Sequence, residues 1–347
     1  MLAERVDEIP SDGNWIFEPK WDGFRALVFR NAREILIQSR DEKPLNRYFP
    51  ELISPLLAQL PRSCVVDGEI VIAGSQGLDF EALQLRIHPA ESRVRLLAES
   101  TPASIVFFDL LAEGRRDLRL LAFEQRRQRL EKMLKSSKSP IHLTPATANR
   151  KIALDWFKRF EGAGLDGVMA KSKDGIYVPG KRVLLKIKHE RDCDCVVAGF
   201  RWYKDGEGTA IGSLLLGLFD ASGLLNHVGV CASFSAKQRR DLLTFLKPYR
   251  RNASAHHPWK ASSPSSNERL QRLPGGESRW SHGKTLSWEP LRPELVAEVA
   301  YDHMQGTRFR HVAQFRRWRS DKEPRDCTYA QLEVVPPHEL ARIFAAR

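Results

Sequence analysis

Lys20 stands in the run Glu18-Pro19-Lys20-Trp21-Asp22-Gly23-Phe24-Arg25, between two strand-like stretches. An amine held at a turn beside Asp-Gly is what a covalent carrier of a nucleotidyl group needs: a fixed nucleophile, with glycine letting backbone approach a phosphate. Alone, such a turn is as well explained by a surface hairpin. Six further segments weigh against that reading. Ser39-Arg40, Asp67-Gly68-Glu69, Phe108-Asp109, Asp166 to Lys171, Lys186-Ile187-Lys188 and Arg319-Ser320-Asp321-Lys322 follow in this order, each at a strand end or on a predicted strand. They supply carboxylates suited to a hard divalent cation and lysines and arginines suited to phosphate oxygens, while Phe108, inside the apolar run FFDLL, is on residue type alone more often a core residue.

These residues need a scaffold. From Trp15 to about Lys188, short apolar runs (FRALVFR, EILIQ, CVVDGEIVI, ASIVFFDLL, GVMAK, VLLKIK) read as strands rich in Val, Ile, Leu and Phe. Helical spacing marks Leu118 to Leu134 and Lys151 to Phe160, the second with Ile152, Trp156 and Phe160 on one face. The texture changes after HERDCD to strands separated by Gly-rich turns (VVAGFRW, GSLLLGLFD, LLNHVGVCASF), as in a small barrel or sandwich. Ser235 followed by Gln238 is a capping box that predicts a helix over Ala236 to Lys247. Residues 250–284, rich in Ser, Pro, Gly, Arg and His, predict a long mobile loop, and Leu295 to Tyr301 and Phe309 to Trp318 resume strand character. The expected division is 1–190 and 191–347.

Composition bounds the function. The 347 residues carry 55 Lys and Arg against 43 Asp and Glu, a formal charge of +12, which favours a polyanionic partner such as nucleic acid or an anionic membrane. No run of about 18 apolar residues is present, and the N-terminal MLAERVDEIP is too charged for a secretion signal, so a cytoplasmic, nucleoid-associated protein is expected. Five cysteines without framework spacing do not suggest a disulfide scaffold. Cys193 and Cys195 lack the second pair a zinc site needs, and read as alternate strand residues.

The seven ordered segments resemble the covalent nucleotidyltransferase superfamily of ATP-dependent DNA ligases, RNA ligases and messenger RNA capping enzymes, over about Trp15 to Tyr329. Compact size and the closing segment RFRHVAQFRRWRSDKEPRDCTYAQLE look most like the short stand-alone bacterial ligases of the LigC type, relatives of the ligase module used in end joining with Ku. The resemblance implies an α+β architecture: an ATP-grasp-like adenylation domain of packed antiparallel sheets and helices, followed by an OB-fold barrel. It implies that Lys20 attacks the α-phosphate of ATP, is charged with AMP, passes AMP to a DNA 5′-phosphate, and that the enzyme then seals this end to a 3′-hydroxyl.

Free lysine, with a reference pKa of about 10.4, is protonated at neutral pH, so the attacking amine needs help from cations or a proton acceptor. By resemblance, Lys186 and Lys188 contact the AMP phosphate, and Glu69 and Asp166 hold Mg²⁺ or Mn²⁺, with Glu69 also a partner of the ribose hydroxyls. Phe108 rather than Phe107 stacks on adenine, Met169 completes the pocket, and Glu18 and Pro19 bring backbone to the adenine edge. Arg25 and Arg40 hold nick termini and ribose, and Arg319 and Lys322 orient the β and γ phosphates, with Lys188 to Asp194 as the hinge. Arg239-Arg240, Arg250-Arg251 and Arg308 to Arg317 are candidate phosphate contacts.

Two rivals differ in class: an RNA-end ligase or capping enzyme of the same superfamily, and a non-catalytic OB-fold nucleic-acid-binding protein. Ser39-Arg40 and the ligase-like closing segment weigh against capping. An OB domain with its own Arg-x-Asp-Lys weighs against RNA ligases, and the presence of Lys20, Glu69 and Lys188 weighs against a degenerate carrier. The expected partners are nicked or broken duplex DNA and, through the resemblance, Ku-like end-joining factors, acting on a monomer without further DNA-binding, polymerase or nuclease domains.

Overall fold

A computed structural model describes residues 1–74, 77–255, 257–260, 273–274, 287–332, 340 and 343. The chain forms two compact units, Met1–Lys188 with Val335–Arg347, and His189–Val334.

In the first unit the strands are β1 (Leu2–Val6), β2 (Trp15–Pro19), β3 (Phe24–Asn31), β4 (Glu34–Ser39), β5 (Ser63–Gly74), β6 (Gly77–Leu78), β7 (Ala103–Glu113), β8 (Arg116–Asp117), β9 (Ile141–Leu143), β10 (Val168–Ser172) and β11 (Arg182–Ile187). The helices are α1 (Pro50–Gln59), α2 (Phe80–Leu85), α3 (Glu91–Ser100), α4 (Phe123–Met133) and α5 (Arg150–Arg159). One sheet runs β1-β11-β10-β2; the other runs β4-β3-β5-β7-β8, with β6 added on β5 and β9 on β7. All ladders are antiparallel except β1 on β11 and β9 on β7.

Strand alternation explains the larger core. Val28, Ile37, Val66, Ile70, Ile105 and Phe107 point to one side of the second sheet and bury against Leu52 and Leu56 of α1, Leu83 of α2 and Leu130 of α4. Each such side chain contributes roughly 1.5–3 kcal/mol by leaving water. Helices α1 and α3, absent from the sequence expectation, are held by Arg86, whose guanidinium pairs with Glu51 of α1 at 2.7 Å and donates to the carbonyls of Tyr48 and of Thr101, the residue that caps α3.

Helix α5 falls where its spacing predicts, but Ile152 is exposed; Ala153, Trp156 and the following Phe160 carry the buried face. This one-residue rotation sets Trp156 and Phe160 in stacked contact, with Leu340 and Ile343 in the same apolar cluster. Those two residues correct the expected second domain of 191–347, because their i, i+3 pair buries in the first unit. The helix expected from Leu118 begins only at Phe123: Leu118 donates its N–H to Leu111 and packs in the core ahead of it.

The second unit holds β12 (Arg191–Trp202), β13 (Ile211–Phe219), β14 (Leu225–Cys231), α6 (Ala236–Arg250), β15 (Glu289–Tyr301), β16 (Met304–Gln305), β17 (Arg308–Phe309) and β18 (Gln314–Trp318). The sheet order is β14-β13-β12-β15-β18, and a parallel bridge from Cys231 to Ala313, just ahead of β18, closes it. Five strands closed in this order, with the helix between the third and fourth, form an OB-fold barrel. Ser235 and Gln238 make both bonds of the capping box. Helix α6 runs three residues past Lys247 despite Pro248. The stretch expected as one strand from Phe309 to Trp318 is broken into β17 and β18. Of the 250–284 loop, residues 256, 261–272 and 275–284 lie outside the described residues. Cys193 and Cys195, two apart on β12, bring their thiols to 3.6 Å in the barrel core.

Candidate active site

Lys20 follows β2 directly, and its backbone is tied on both sides. Its N–H donates to the Gly167 carbonyl at 2.9 Å, and its carbonyl accepts from the Asp166 N–H at 2.9 Å. Gly167 has φ +131°, and a Cβ there would stand 2.0 Å from the Ile187 carbonyl, so β10 and β11 close on the lysine only with glycine at this position. Gly23 serves packing rather than phosphate approach: a Cβ would lie 2.1 Å from the Ile70 carbonyl on β5.

Around this turn lies a cleft of about 400 Å³, the size of a nucleotide pocket. Glu18, Pro19, Lys20 and Trp21 form one wall, Arg25, Arg40, Glu69 and Phe108 another, and Met169, Lys171, Arg182, Leu184 and Lys186 a third. Alternation chooses the last set: residues i and i+2 of β10, and i, i+2 and i+4 of β11, share a face. The same rule separates the adjacent phenylalanines, since Phe107 is fully buried in the core while Phe108 lines the cleft.

The Lys20 Nζ lies 2.6 Å from Asp166 Oδ2, and the Lys188 Nζ reaches the same oxygen at 3.2 Å. Asp166 and Lys188 thus sit beside Lys20 without lining the cleft. Desolvation, then the neighbouring Lys20 and Lys188 charges, lowers the Lys186 pKa. Glu69 faces the opposite way: burial pushes its carboxyl up to about 7, against the pull of Lys20 and Arg25.

Arg25 and Glu69 are cross-strand partners on β3 and β5. The Arg25 guanidinium is largely committed within the protein, however. Nε and Nη2 donate to the two Asp67 oxygens at 3.0 and 2.6 Å, and Nη1 donates to the Met1 carbonyl. The Tyr177 hydroxyl donates to Asp67 at 3.1 Å and accepts from Arg25 at 3.3 Å. Burial opposes the charge of Arg25, but Asp67 more than offsets it and holds the guanidinium protonated above its ordinary range. Arg40, by contrast, is well exposed, and its one ion-pair contact among the described residues is with Asp41 at 3.6 Å.

Two site groups carry no signal as isolated residues. Lys171, almost wholly buried, pairs with Glu18 at 2.6 Å and sets its ammonium 4.5 Å from the centre of the Phe108 ring. Arg127 of α4 reaches the other Glu18 oxygen at 3.3 Å and donates to the Thr144 carbonyl at 2.7 Å. Lys171 was accessible from sequence as the i+2 neighbour of Met169; Arg127 was not, because its contact spans 109 positions.

In the second unit, Arg319 and Lys322 share one carboxylate. Asp194 accepts from Arg319 at 3.1 Å and from Lys322 at 2.7 Å. The Gln331 side-chain amide fixes this aspartate by accepting from its N–H at 2.8 Å and donating to its carbonyl at 2.9 Å. Arg319 also grips Asp321 through two bonds.

An α+β unit with a lysine-bearing, nucleotide-sized cleft, followed by an OB-fold barrel, is the architecture of the nucleotidyltransferases. The chain belongs to the ATP-dependent DNA ligase family: residues 1–188 match the ATP dependent DNA ligase domain, and residues 207–322 its C terminal region. It is 52% identical to DNA ligase C2 of Mycolicibacterium smegmatis, over 97% of this chain and 94% of that protein. It is 53% identical to DNA ligase C of Mycobacterium tuberculosis, over 96% and 93% respectively. Among solved structures, a Lig E DNA ligase shares the fold with a TM-score of 0.53 at 18% identity, covering 92% of this chain and 98% of that one.

Proposed function

We propose that this DNA ligase carries AMP on Lys20 and seals a 5′-phosphate to a 3′-hydroxyl in duplex DNA. The observation that carries the reading is the Lys20–Asp166 pair at 2.6 Å at the edge of the cleft. The Lys20 amine attacks the α-phosphorus of ATP, a nitrogen–phosphorus bond forms, and pyrophosphate leaves. Asp166 is within reach to accept the proton, and the Lys188 ammonium lies 3.2 Å from the same oxygen. Lys186 faces the cleft as a cation for the phosphate oxygens, and Phe108 offers the base a ring face. AMP then passes to the DNA 5′-phosphate, and attack by the 3′-hydroxyl expels it as the phosphodiester forms.

A divalent cation, Mg²⁺ or Mn²⁺, would neutralise charge on the phosphate oxygens. The donor set suits Glu69 as its holder: a desolvated carboxyl facing the cleft, with its pKa pushed to about 7, is relieved by a cation. Asp166 suits that role less, since two ammonium groups already occupy one of its oxygens. Arg319 and Lys322 meet the β and γ phosphates only by exchanging Asp194 for them.

Incubation with labelled ATP and a divalent cation, followed by nicked duplex DNA, tests the reading. Wild type should label and seal, and Lys20→Ala should do neither. Equal labelling of the variant would remove Lys20 as carrier, and a GTP control separates ligase from capping chemistry.

A further inference from the structure

Helix α6 ends over a second cavity, of about 660 Å³ and wholly within the OB-fold unit. Lys247, Arg250, Arg251 and Lys260 line it, against a single carboxylate among the described residues, Glu289. Arg250 is held in place, stacked 5.1 Å from the Trp202 ring centre and 3.7 Å from Glu289. Lys247 and Arg251 are exposed and have no side-chain hydrogen-bond or ion-pair partner among the described residues, and Lys260 has only a 3.4 Å contact to the Ser254 hydroxyl. Elsewhere on this chain cations are commonly matched, as Arg316, Arg317, Arg319 and Lys322 show.

The walls are fixed rather than fortuitous. His257 is buried and bonds the Ala198 and Leu291 carbonyls at 2.8 and 3.2 Å, and Trp259 donates to the Leu225 carbonyl at 2.9 Å, which pins the segment carrying Lys260 to the barrel. Trp288 packs against both His257 and Trp259 and forms the apolar side of the cavity. A helix C-terminus ordinarily repels anions through its free carbonyls. Here Arg292 donates to the Pro248 and Arg251 carbonyls at 3.2 and 3.0 Å, so those oxygens are neutralised and the unmatched cations set the field.

We propose that this cavity is a phosphate-backbone site for duplex DNA, engaged by Lys247, Arg251 and Lys260 in a manner independent of base sequence. Flexible cations without carboxylate partners gain most from displacing counterions on a polyphosphate backbone. The proposal rests on the ligase reading for its ligand but not for its geometry.

The test compares full-length wild type with Lys247→Ala/Arg251→Ala/Lys260→Ala in binding a nicked duplex across a salt series, with Lys20 labelling by ATP measured in parallel. The variant should label like wild type yet bind the duplex roughly tenfold or more weakly, with the slope of log affinity on log salt reduced by about one per cation removed. Unchanged affinity and slope would overturn the proposal. If labelling also falls, the scaffold is damaged, and the exposed single variant Lys247→Gln decides instead: with labelling intact it must lower the slope by about one, and an unchanged slope overturns the proposal. If the triple variant loses tripolyphosphate binding but keeps its DNA slope, the cavity takes free polyphosphate and the DNA assignment fails. Wild type that never labels refutes the ligase reading by itself, and the salt slopes still judge the cavity.

Discussion

Lys20 and Asp166 are joined twice, by a 2.6 Å contact between side chains and by a 2.9 Å bond from the Asp166 N–H to the Lys20 carbonyl. The backbone bond fixes where the carboxylate stands whichever proton it holds, so the two roles of Asp166 can be separated. Asp166→Asn keeps the main-chain bond and the side-chain volume but removes the charge. Single-turnover labelling of Lys20 by ATP should slow by about 10²-fold or more, the usual scale of a general base. Labelling at the wild-type rate would eliminate Asp166 as the proton acceptor.

Glu69 predicts a pH dependence. Its carboxyl is raised from 4.5 to about 7, first by burial, so its charge is withheld until neutrality and gained as pH rises through about 7. Divalent-cation-dependent labelling should therefore rise across that range, and Glu69→Gln should lose this limb of the profile. Stability has the opposite sign. The folded state holds this proton more tightly than the unfolded chain, so stability falls as pH rises from about 4.5 to 7 and stays lower above. Glu69→Gln should then melt higher than wild type at pH 8, with little difference at pH 4.

The site was legible in sequence where its residues share a strand or a strand end, because alternation puts neighbours on opposite faces and the family resemblance says which face meets the cleft. Phe108 and Phe107, Lys186, and the omitted Lys171 all obey that rule. What sequence hid was partnership. Arg25 looks free to bind phosphate until Asp67, Tyr177 and the Met1 carbonyl are seen around it, and Asp194, an ordinary strand residue, proves to hold both Arg319 and Lys322. Strand β1 was missed because LAERV has no apolar alternation: it is an edge strand with no fully buried residue, carried by its parallel ladder to β11. The buried face of helix α5 lies one residue on from the expected one because Ile152 and Ala153 both suit an apolar face, and only tertiary packing, in the cluster that also holds Phe17 and Leu165, selects the smaller.

Beneath the cleft, Arg126 and Asp109 form a fully buried pair, bonded at 2.8 and 3.0 Å, with the guanidinium also donating to the Leu121 and Gly175 carbonyls. Removing one member strands a charge in the interior. Arg126→Met should cost about 3–5 kcal/mol in chemical denaturation. Arg126→Met/Asp109→Leu should recover part of this, since no lone charge remains. A double variant as unstable as the sum of the singles would mean the pair is not coupled.

Phe107 and Phe108 are neighbours with opposite surroundings, and they should fail in opposite ways. Phe107 is wholly enclosed among Ile70, Ile105 and their neighbours, so Phe107→Ala leaves a cavity and should cost about 3–5 kcal/mol of stability. Phe108 presents its ring to the cleft, with the Lys171 ammonium at 4.5 Å and the Arg25 guanidinium at 5.9 Å from its centre. Stacking on an aromatic ring contributes roughly 1–3 kcal/mol per base, so Phe108→Ala should raise the ATP concentration for half-maximal labelling by about tenfold. The rate at saturating ATP should change much less if, as proposed, the ring holds the base away from the reacting phosphorus. Denaturation midpoints and ATP titrations of both variants check the contrast. If Phe108→Ala lost stability as Phe107→Ala does while its ATP requirement stayed at the wild-type level, the ring would be a core residue and the base would have to be held elsewhere.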